Sequence, residues 1–424
     1  MNTPLKTYWQ KFRNSKDGRT VASNMAYLTV LQAVSYLFPL LTMPYLARVL
    51  GADGLGKIAF AAAVIMWLQT VTDWGFNYTA TREVAKERDN WDKVSLVFST
   101  VLWARCLLAL FSLLVLTVLI AAVPRFRENW LILLFTFIQV PTNILFPSWF
   151  FQALERMKYL TIFGVAIRFV FTVSVFVFIR TKADYLLQPL LVSLGYLTSG
   201  LLAMYIILRN WKVRLMAVPF SNIMQTVKGS TNVFINNLMP NLYNSFSVIL
   251  LGMFCPPANT GLYDAGKTLT TLSNTLMSVF SRTFFPYLSR KIEKHNLYRN
   301  FSLTIAALVT LFLLVAAPWL IMLFFGKEFA DSVLILRITS VAVFFIALNE
   351  VYGTNYLIVK NHDSTMRNIT LASSLFGFCI AFPLVYYFQH LGAAIVYAVT
   401  STLLGVLSYI FAIKYMKKDN CILV

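Results

Sequence analysis

Residues 94–123 read VSLVFSTVLWARCLLALFSLLVLTVLIAAV, thirty residues in which Arg105 is the sole charge. A run this long and this continuously apolar reads as a membrane-spanning helix, not as a strand of alternating polarity. At a rise of about 1.5 Å per residue, Arg105 lies roughly 16 Å inside it, too deep for easy snorkelling. A cation at that depth costs several kcal/mol unless it faces water or protein. Arg105 therefore marks an interior.

The rest of the chain repeats the pattern. Of its 424 residues, 58% are hydrophobic and 12% charged, and mean hydropathy is +0.68. Soluble domains carry about 25% charged residues, so a soluble enzyme and a disordered chain are both excluded. Twelve apolar segments run between residues 20 and 415. Their length and lack of alternation exclude a barrel. The expected fold is an all-α polytopic membrane protein, with twelve transmembrane helices in two six-helix lobes around a central cavity. The N-lobe would be 20–208 and the C-lobe 232–415, joined by a cytoplasmic linker at 209–231. Residues 1–19 and 416–424 would be cytoplasmic ends. In the first of these, Leu5, Tyr8, Trp9 and Phe12 have the spacing of a helix lying on the membrane surface.

Net charge is +19, which by itself could signal nucleic acid. Its distribution says otherwise. With the N-terminus in the cytoplasm, 24 of the 36 Lys and Arg residues fall in cytoplasmic segments and 7 on the opposite side. That is the positive-inside pattern, and it accounts for the basicity without nucleic acid. The four cysteines are scattered, with neither disulfide nor zinc spacing. The terminal Cys421-Ile422-Leu423-Val424 resembles a prenylation box only by chance in so hydrophobic a chain. No metal or cofactor set is evident, and the three histidines and most carboxylates sit in loops, so no catalysis is expected. Gly261-Leu262-Tyr263-Asp264-Ala265-Gly266-Lys267-Thr268 has the letters of a phosphate-binding loop but opens an apolar segment, not a strand-to-helix turn.

Cations dominate the span interiors. Arg105 and Arg168 lie deepest, with Arg48, Lys267 and Arg337 nearer span ends. Such an excess suits an anion, and guanidinium suits phosphate. The bland alternative is snorkelling and local ion pairs, such as Asp264 with Lys267 at i,i+3. The seventh segment places Asn237, Asn241 and Asn244 at i, i+4, i+7. Asn274, Asn349 and Tyr352 add polar groups in the eighth and tenth. These amides could hold sugar hydroxyls, or could join helices to one another. Glu350, Asp73 and Asp264 are the candidate carboxylates for coupling to H+ or Na+. A faint repeat links the halves: Pro39 pairs with Pro240, and the segment opening at Gly56 with the one opening at Gly261.

Two longer motifs close the reading. Leu40-Leu41-Thr42-Met43-Pro44-Tyr45-Leu46-Ala47-Arg48-Val49-Leu50-Gly51 is followed by Gly54-Leu55-Gly56, and Asp73-Trp74-Gly75-Phe76-Asn77 by Thr79-Ala80-Thr81-Arg82-Glu83. With Thr260–Ala265 and Phe325-Gly326-Lys327-Glu328-Phe329, they resemble the polysaccharide transporter family, in particular Wzx-type O-antigen flippases of the MOP superfamily. The resemblance covers nearly the whole chain. It implies a bacterial inner-membrane flippase that carries an undecaprenyl-pyrophosphate-linked oligosaccharide from the cytoplasmic to the periplasmic leaflet. Membrane lipid and polysaccharide polymerase machinery would be its partners, and Arg48 matches the family's first-span arginine. Two rivals remain. A MATE-type multidrug or cation antiporter would need cavity acids, which residues 21–47 lack. A polysaccharide polymerase or ligase would need a large external loop, which the chain lacks.

Overall fold

The computed structural model describes residues 16–211 and 213–422. The surface helix expected around Leu5–Phe12 and the last two residues of the tail lie outside them. The described residues contain helices and turns but no strand. In chain order the α-helices are α1 Lys16–Asp73, α2 Phe76–Lys86, α3 Trp91–Ala122, α4 Pro124–Glu128, α5 Trp130–Phe137, α6 Gln139–Leu145, α7 Ser148–Ala153 and α8 Met157–Phe178. They continue with α9 Leu187–Tyr205, α10 Phe220–Leu238, α11 Asn241–Phe254, α12 Pro257–Leu288, α13 His295–Phe324, α14 Ser332–Asn349 and α15 Asp363–Ile422. Two π-helical stretches, Ile206–Asn210 and Glu350–Ile358, extend α9 and α14.

Among the described residues, eight helical stretches are long and apolar enough to cross a membrane. Two of them, Ala26–Lys86 and Asp363–Lys417, run to 61 and 55 residues, more than twice the roughly 20 that one crossing needs. Each contains a break. Gly51 interrupts α1 with φ 70° and ψ −178°, and Gln389 interrupts α15 with φ 51°. α11 is apolar but only 14 residues long, and α12 carries too many hydroxyls and amides to register as a span by composition. The fold is that of an all-α, multi-pass membrane protein. Its outer faces show it: Leu110, Leu114, Val315 and Trp319 are each more than 60% exposed, as side chains facing lipid must be.

The break in α1 has a local cause. Gly51 adopts a left-handed φ that side chains resist, and the amide freed at Ala52 donates to the Glu328 carboxylate at 3.0 Å. A Cβ on Gly51 would sit 2.7 Å from the same carboxylate. Three residues earlier, Arg48 donates to the Leu323 carbonyl at 2.8 Å. The Leu46–Gly51 and Phe325–Phe329 motifs are thus two halves of one joint.

The chain divides into two compact units. The first comprises residues 1–43, 68–180 and 186–235; the second comprises 44–67, 181–185 and 236–424. The first is built on an aromatic core in which Phe76, Phe98, Trp149, Phe150 and Phe151 are almost wholly buried. The irregular 213–216 backbone is laced along α3: Ser95 and Ser99 hydroxyls accept from the Arg214 and Met216 amides at 3.1 and 3.0 Å.

The second unit is built on close backbone approach. A Cβ on Gly56 would lie 1.7 Å from the Pro257 carbonyl oxygen, and one on Gly261 would lie 2.0 Å from the Ala52 carbonyl oxygen. The two contacts mirror each other, so the two span openings read as repeats cross at glycine, as small residues allow. Elsewhere in this unit, Tyr298, Tyr352, Tyr356 and Leu357 form a buried cluster with Ile369 and Ala412.

Candidate functional site

The deepest charge read from sequence is also the most enclosed. Arg105 is 3% exposed. α3 carries it to the last turn of α1, where its Nη2 donates to Asp73 Oδ1 in an ion pair. The same Nη2 reaches Asn143 Oδ1 on α6 at 3.0 Å. Gln69, one turn before Asp73, donates to Asp73 at 3.0 Å and to Asn143 at 3.4 Å. Four polar side chains from three helices thus form one network, and the Arg105 Nε is buried without a partner among the described residues. Asp73 keeps 25% of its side chain exposed. Burial of an isolated guanidinium would be costly, and Asp73 offsets that cost.

Gln69 and Asn143 were not among the sequence candidates. A signal existed: Gln69 and Asp73 are at i,i+4, and Asn143 stands between Pro141 and Pro147, which break the neighbouring helix into short pieces.

The second unit holds a different arrangement. Lys267 on α12 donates to Asn244 Oδ1 on α11 at 3.3 Å. Its ammonium stands 4.5 Å from the Tyr397 ring centre and 5.4 Å from that of Tyr263, within range of cation–π attraction. Asp264 lies one turn away on the same helix. Asn274 donates to the Tyr397 hydroxyl at 2.9 Å, and its own Oδ1 is buried without a partner. Lys267, Asn244 and Asn274 therefore gather around Tyr397, a residue the sequence did not single out.

Glu350 opens the π-helical stretch. Its two carboxylate oxygens accept from Ser278 at 2.9 Å and Ser281 at 2.6 Å, both on α12. Asn355 donates to Ser281 at 2.7 Å and to the Tyr298 hydroxyl at 3.1 Å. π-bulges of this kind re-aim side chains and recur at functional positions. Asn349 accepts from Ser408 at 2.8 Å. Tyr352 packs its buried ring against His295 and Tyr409.

Other expected members are not gathered. Arg48 and Arg337 are exposed and donate to the Leu323 and Leu314 carbonyls. Arg168 is half-buried and donates to the Gly164 carbonyl one turn back in its own helix, at 2.8 Å. The asparagine stripe of the seventh segment is broken. A turn at residues 239–240 separates α10 from α11, so Asn237 is exposed at the end of one helix while Asn241 is buried in the other. Pro240 is the reason, since its ring and missing N–H interrupt a continuing helix. The Gly261–Thr268 stretch lies wholly within α12, so it forms no phosphate-binding loop.

Helices of this length, with ionised networks inside otherwise apolar spans, define a polytopic membrane-protein fold. Solved structures agree. The chain superposes on "Lipid II flippase MurJ, inward closed conformation" with a TM-score of 0.72 at 13% identity, covering 93% of this chain and 87% of that one. It superposes on "Inward-facing conformation of a multidrug resistance MATE family transporter of the MOP superfamily" with a TM-score of 0.69 at 14% identity, covering 93% and 98%. Identity that low is a likeness of fold alone.

The model of the family described as "Polysaccharide biosynthesis protein" matches residues 21–292, and the chain belongs to that family. Two curated relatives share the name "Putative O-antigen transporter". One, from Escherichia coli (strain K12), is 29% identical over 396 residues, 92% of this chain and 95% of the relative. The other, from Shigella dysenteriae, is 23% identical over 387 residues, 90% and 97%. The family resemblance read from the sequence is borne out.

Proposed function

We propose that the protein is a flippase that moves undecaprenyl-pyrophosphate-linked oligosaccharide repeat units of a surface polysaccharide across the bacterial inner membrane, from the cytoplasmic to the periplasmic leaflet. It does so by alternating access between two lobes, 20–208 and 232–415, each of six spans, with both chain ends in the cytoplasm. The observation that carries this is the likeness of nearly the whole chain to two relatives named as O-antigen transporters, beside Lys267, a cation held within α12 by an amide and two aromatic rings. The names of the two full-length relatives supply the substrate class.

The physics is consistent. A glycan cannot cross hydrocarbon unaided, because every unsatisfied hydroxyl costs free energy there. A polar passage carries the head while the polyprenyl tail stays in lipid. Each negative charge leaving a negative interior gains about 2.3 kcal/mol per 100 mV. Lys267 is the cation proposed to meet the diphosphate, since Arg105 already has an acid and Arg168 donates to its own helix. Glu350 and Asp264 are the groups proposed for H+ or Na+ coupling.

The direct test is reconstitution in vesicles with a fluorescent undecaprenyl-pyrophosphate-linked oligosaccharide. Protection of the label from an external quencher should be lost in the presence of the protein and retained with the Lys267→Met variant. No redistribution by the wild-type protein would dismiss the flippase reading.

A further inference from the structure

Three helices of the first unit line an open polar cleft of about 490 Å³, apart from the residues proposed above for transport. Each helix gives it one face. α2 contributes Thr79, Arg82, Glu83 and Lys86, at i, i+3, i+4, i+7. α10 contributes Asn222, Gln225, Thr226, Gly229 and Ser230, at i, i+3, i+4, i+7, i+8. α3 closes the third side with Thr100 and apolar neighbours. At its base Thr79 and Ser230 share a hydrogen bond of 2.8 Å, and Ser230 is buried. Two full helical stripes facing one space are what a lined site requires; a chance surface gap does not need both.

The chemistry of the lining is specific. Arg82 and Lys86 make no ion pair among the described residues, although neighbouring charges do: Glu87 is held by Lys93 at 3.1 Å and Glu155 by Arg88 at 3.8 Å. Two unpaired cations one turn apart suit a phosphate group. The facing amides and hydroxyls, with Glu83 as an acceptor, suit sugar hydroxyls. The volume is in the range of small-molecule sites. Both α2 and the 209–231 segment fall on the side that the Lys and Arg bias assigns to the cytoplasm.

We propose that this cavity is a docking site for a glycosyl diphosphate, separate from the deep charges of the spans. Resting on the flippase reading, it is where the sugar-diphosphate head of the lipid-linked substrate is first held, before it enters the transport path. Gly229 is the clearest handle. A Cβ built there meets nothing within 4 Å, so a large side chain would fill the cavity without disturbing the helix packing.

The test uses the full chain in nanodiscs. The probes are undecaprenyl pyrophosphate bearing a single N-acetylglucosamine, and soluble UDP-N-acetylglucosamine. Gly229→Phe and the double variant Arg82→Gln/Lys86→Gln should each weaken binding of the lipid probe by about tenfold or more, as loss of charge-assisted contacts does. Gly229→Ala should bind like the wild type. Binding of the lipid probe within twofold of wild type in both the plugged and the uncharged variants overturns the docking site, while leaving the flippase reading intact if transport persists. Retention of only the soluble probe, lost in both variants, supports a glycosyl-diphosphate site and removes its link to the lipid substrate. Binding of neither probe by the wild-type protein overturns the site outright.

Discussion

Arg105 in the first unit ends on the carboxylate of Asp73, whereas Lys267 in the second ends on the amide of Asn244 and beside the ring of Tyr397. Glu350, also in the second unit, ends on two serine hydroxyls. The first arrangement is nearly neutral as a whole, with its guanidinium held by Asp73 and Asn143. The second leaves Lys267 and Glu350 apart, each touching neutral dipoles, with Asp264 one turn from Lys267 on α12. The difference teaches which charges are available. An ion pair shields its field, while a charge solvated by hydroxyls and amides retains most of it for something that binds. The packing differs in parallel: tilted and edge-to-face aromatics hold the first unit, and glycine-to-backbone contact holds the second.

The largest effect should come from that glycine contact. Gly56→Ala or Gly261→Ala places a methyl within 2.0 Å of a carbonyl oxygen of the facing segment. The helices must separate, and the loss should exceed the 1–3 kcal/mol usual for overpacking, reaching about 4 kcal/mol or more. Melting of the detergent-solubilised protein checks this, with Gly229→Ala in the first unit as the control that should melt unchanged. Equal melting of Gly56→Ala and wild type would remove the contrast in packing between the units.

Next comes the ion pair. Asp73→Ala leaves a buried guanidinium uncompensated, a change that typically costs about 3–5 kcal/mol; because Asp73 is partly exposed, the lower end is expected. The double replacement Arg105→Leu/Asp73→Leu should recover most of that stability, since well-packed apolar pairs often replace buried ion pairs without loss. Transport by the double variant sharpens the comparison. Full activity would make the pair a structural element, and loss of activity at restored stability would give it a place in the transport path.

Much of this architecture was legible in the sequence, because apolar runs and basic loops are local properties. The span containing Arg105 and the repeat of the segments that open at Gly56 and Gly261 could be read along the chain, though not that those segments cross. Partnership could not. Asp73 and Arg105 were read for opposite roles, coupling acid and substrate cation, because their pairing depends on the rotation of α3 against the end of α1. Nothing in either helix alone fixes that angle. Gln69 and Asn143 escaped for the same reason. The asparagine stripe failed differently: extrapolating a 3.6-residue period across Pro240 ignored the backbone donor that proline removes.

Lys267→Met should separate function from stability in the second unit. The substitution keeps bulk and removes an ammonium whose contacts are one amide and two rings, so the stability change should stay within about 2 kcal/mol. Surface polysaccharide in complemented cells, normalised to protein level, should nevertheless fall severely. Lys267→Arg tests whether charge alone suffices; a guanidinium also stacks on aromatic rings, but its longer planar fork cannot set the same compact charge against Asn244, and partial activity is expected. Wild-type polysaccharide in Lys267→Met would show that the open charge of the second unit is no more available to substrate than the closed pair of the first.

The smallest structural effect belongs to Glu350→Gln. A glutamine keeps an oxygen for one serine and offers an amide to the other, so only the charge-assisted part of two hydrogen bonds is lost, about 1 kcal/mol or a little more. Melting should therefore barely move. The informative measurement is transport in vesicles as a function of pH on each side. If Glu350 takes up and releases a proton during the cycle, the wild-type rate changes with pH and the glutamine variant's does not, because a neutral amide presents Ser278 and Ser281 with the same face at every pH. If both profiles coincide, Glu350 is a clasp between α12 and the π-helical stretch. Lys267 and Asp264, one turn apart on α12, are then the charges of the second unit left to consider, and the coupling role passes to Asp264.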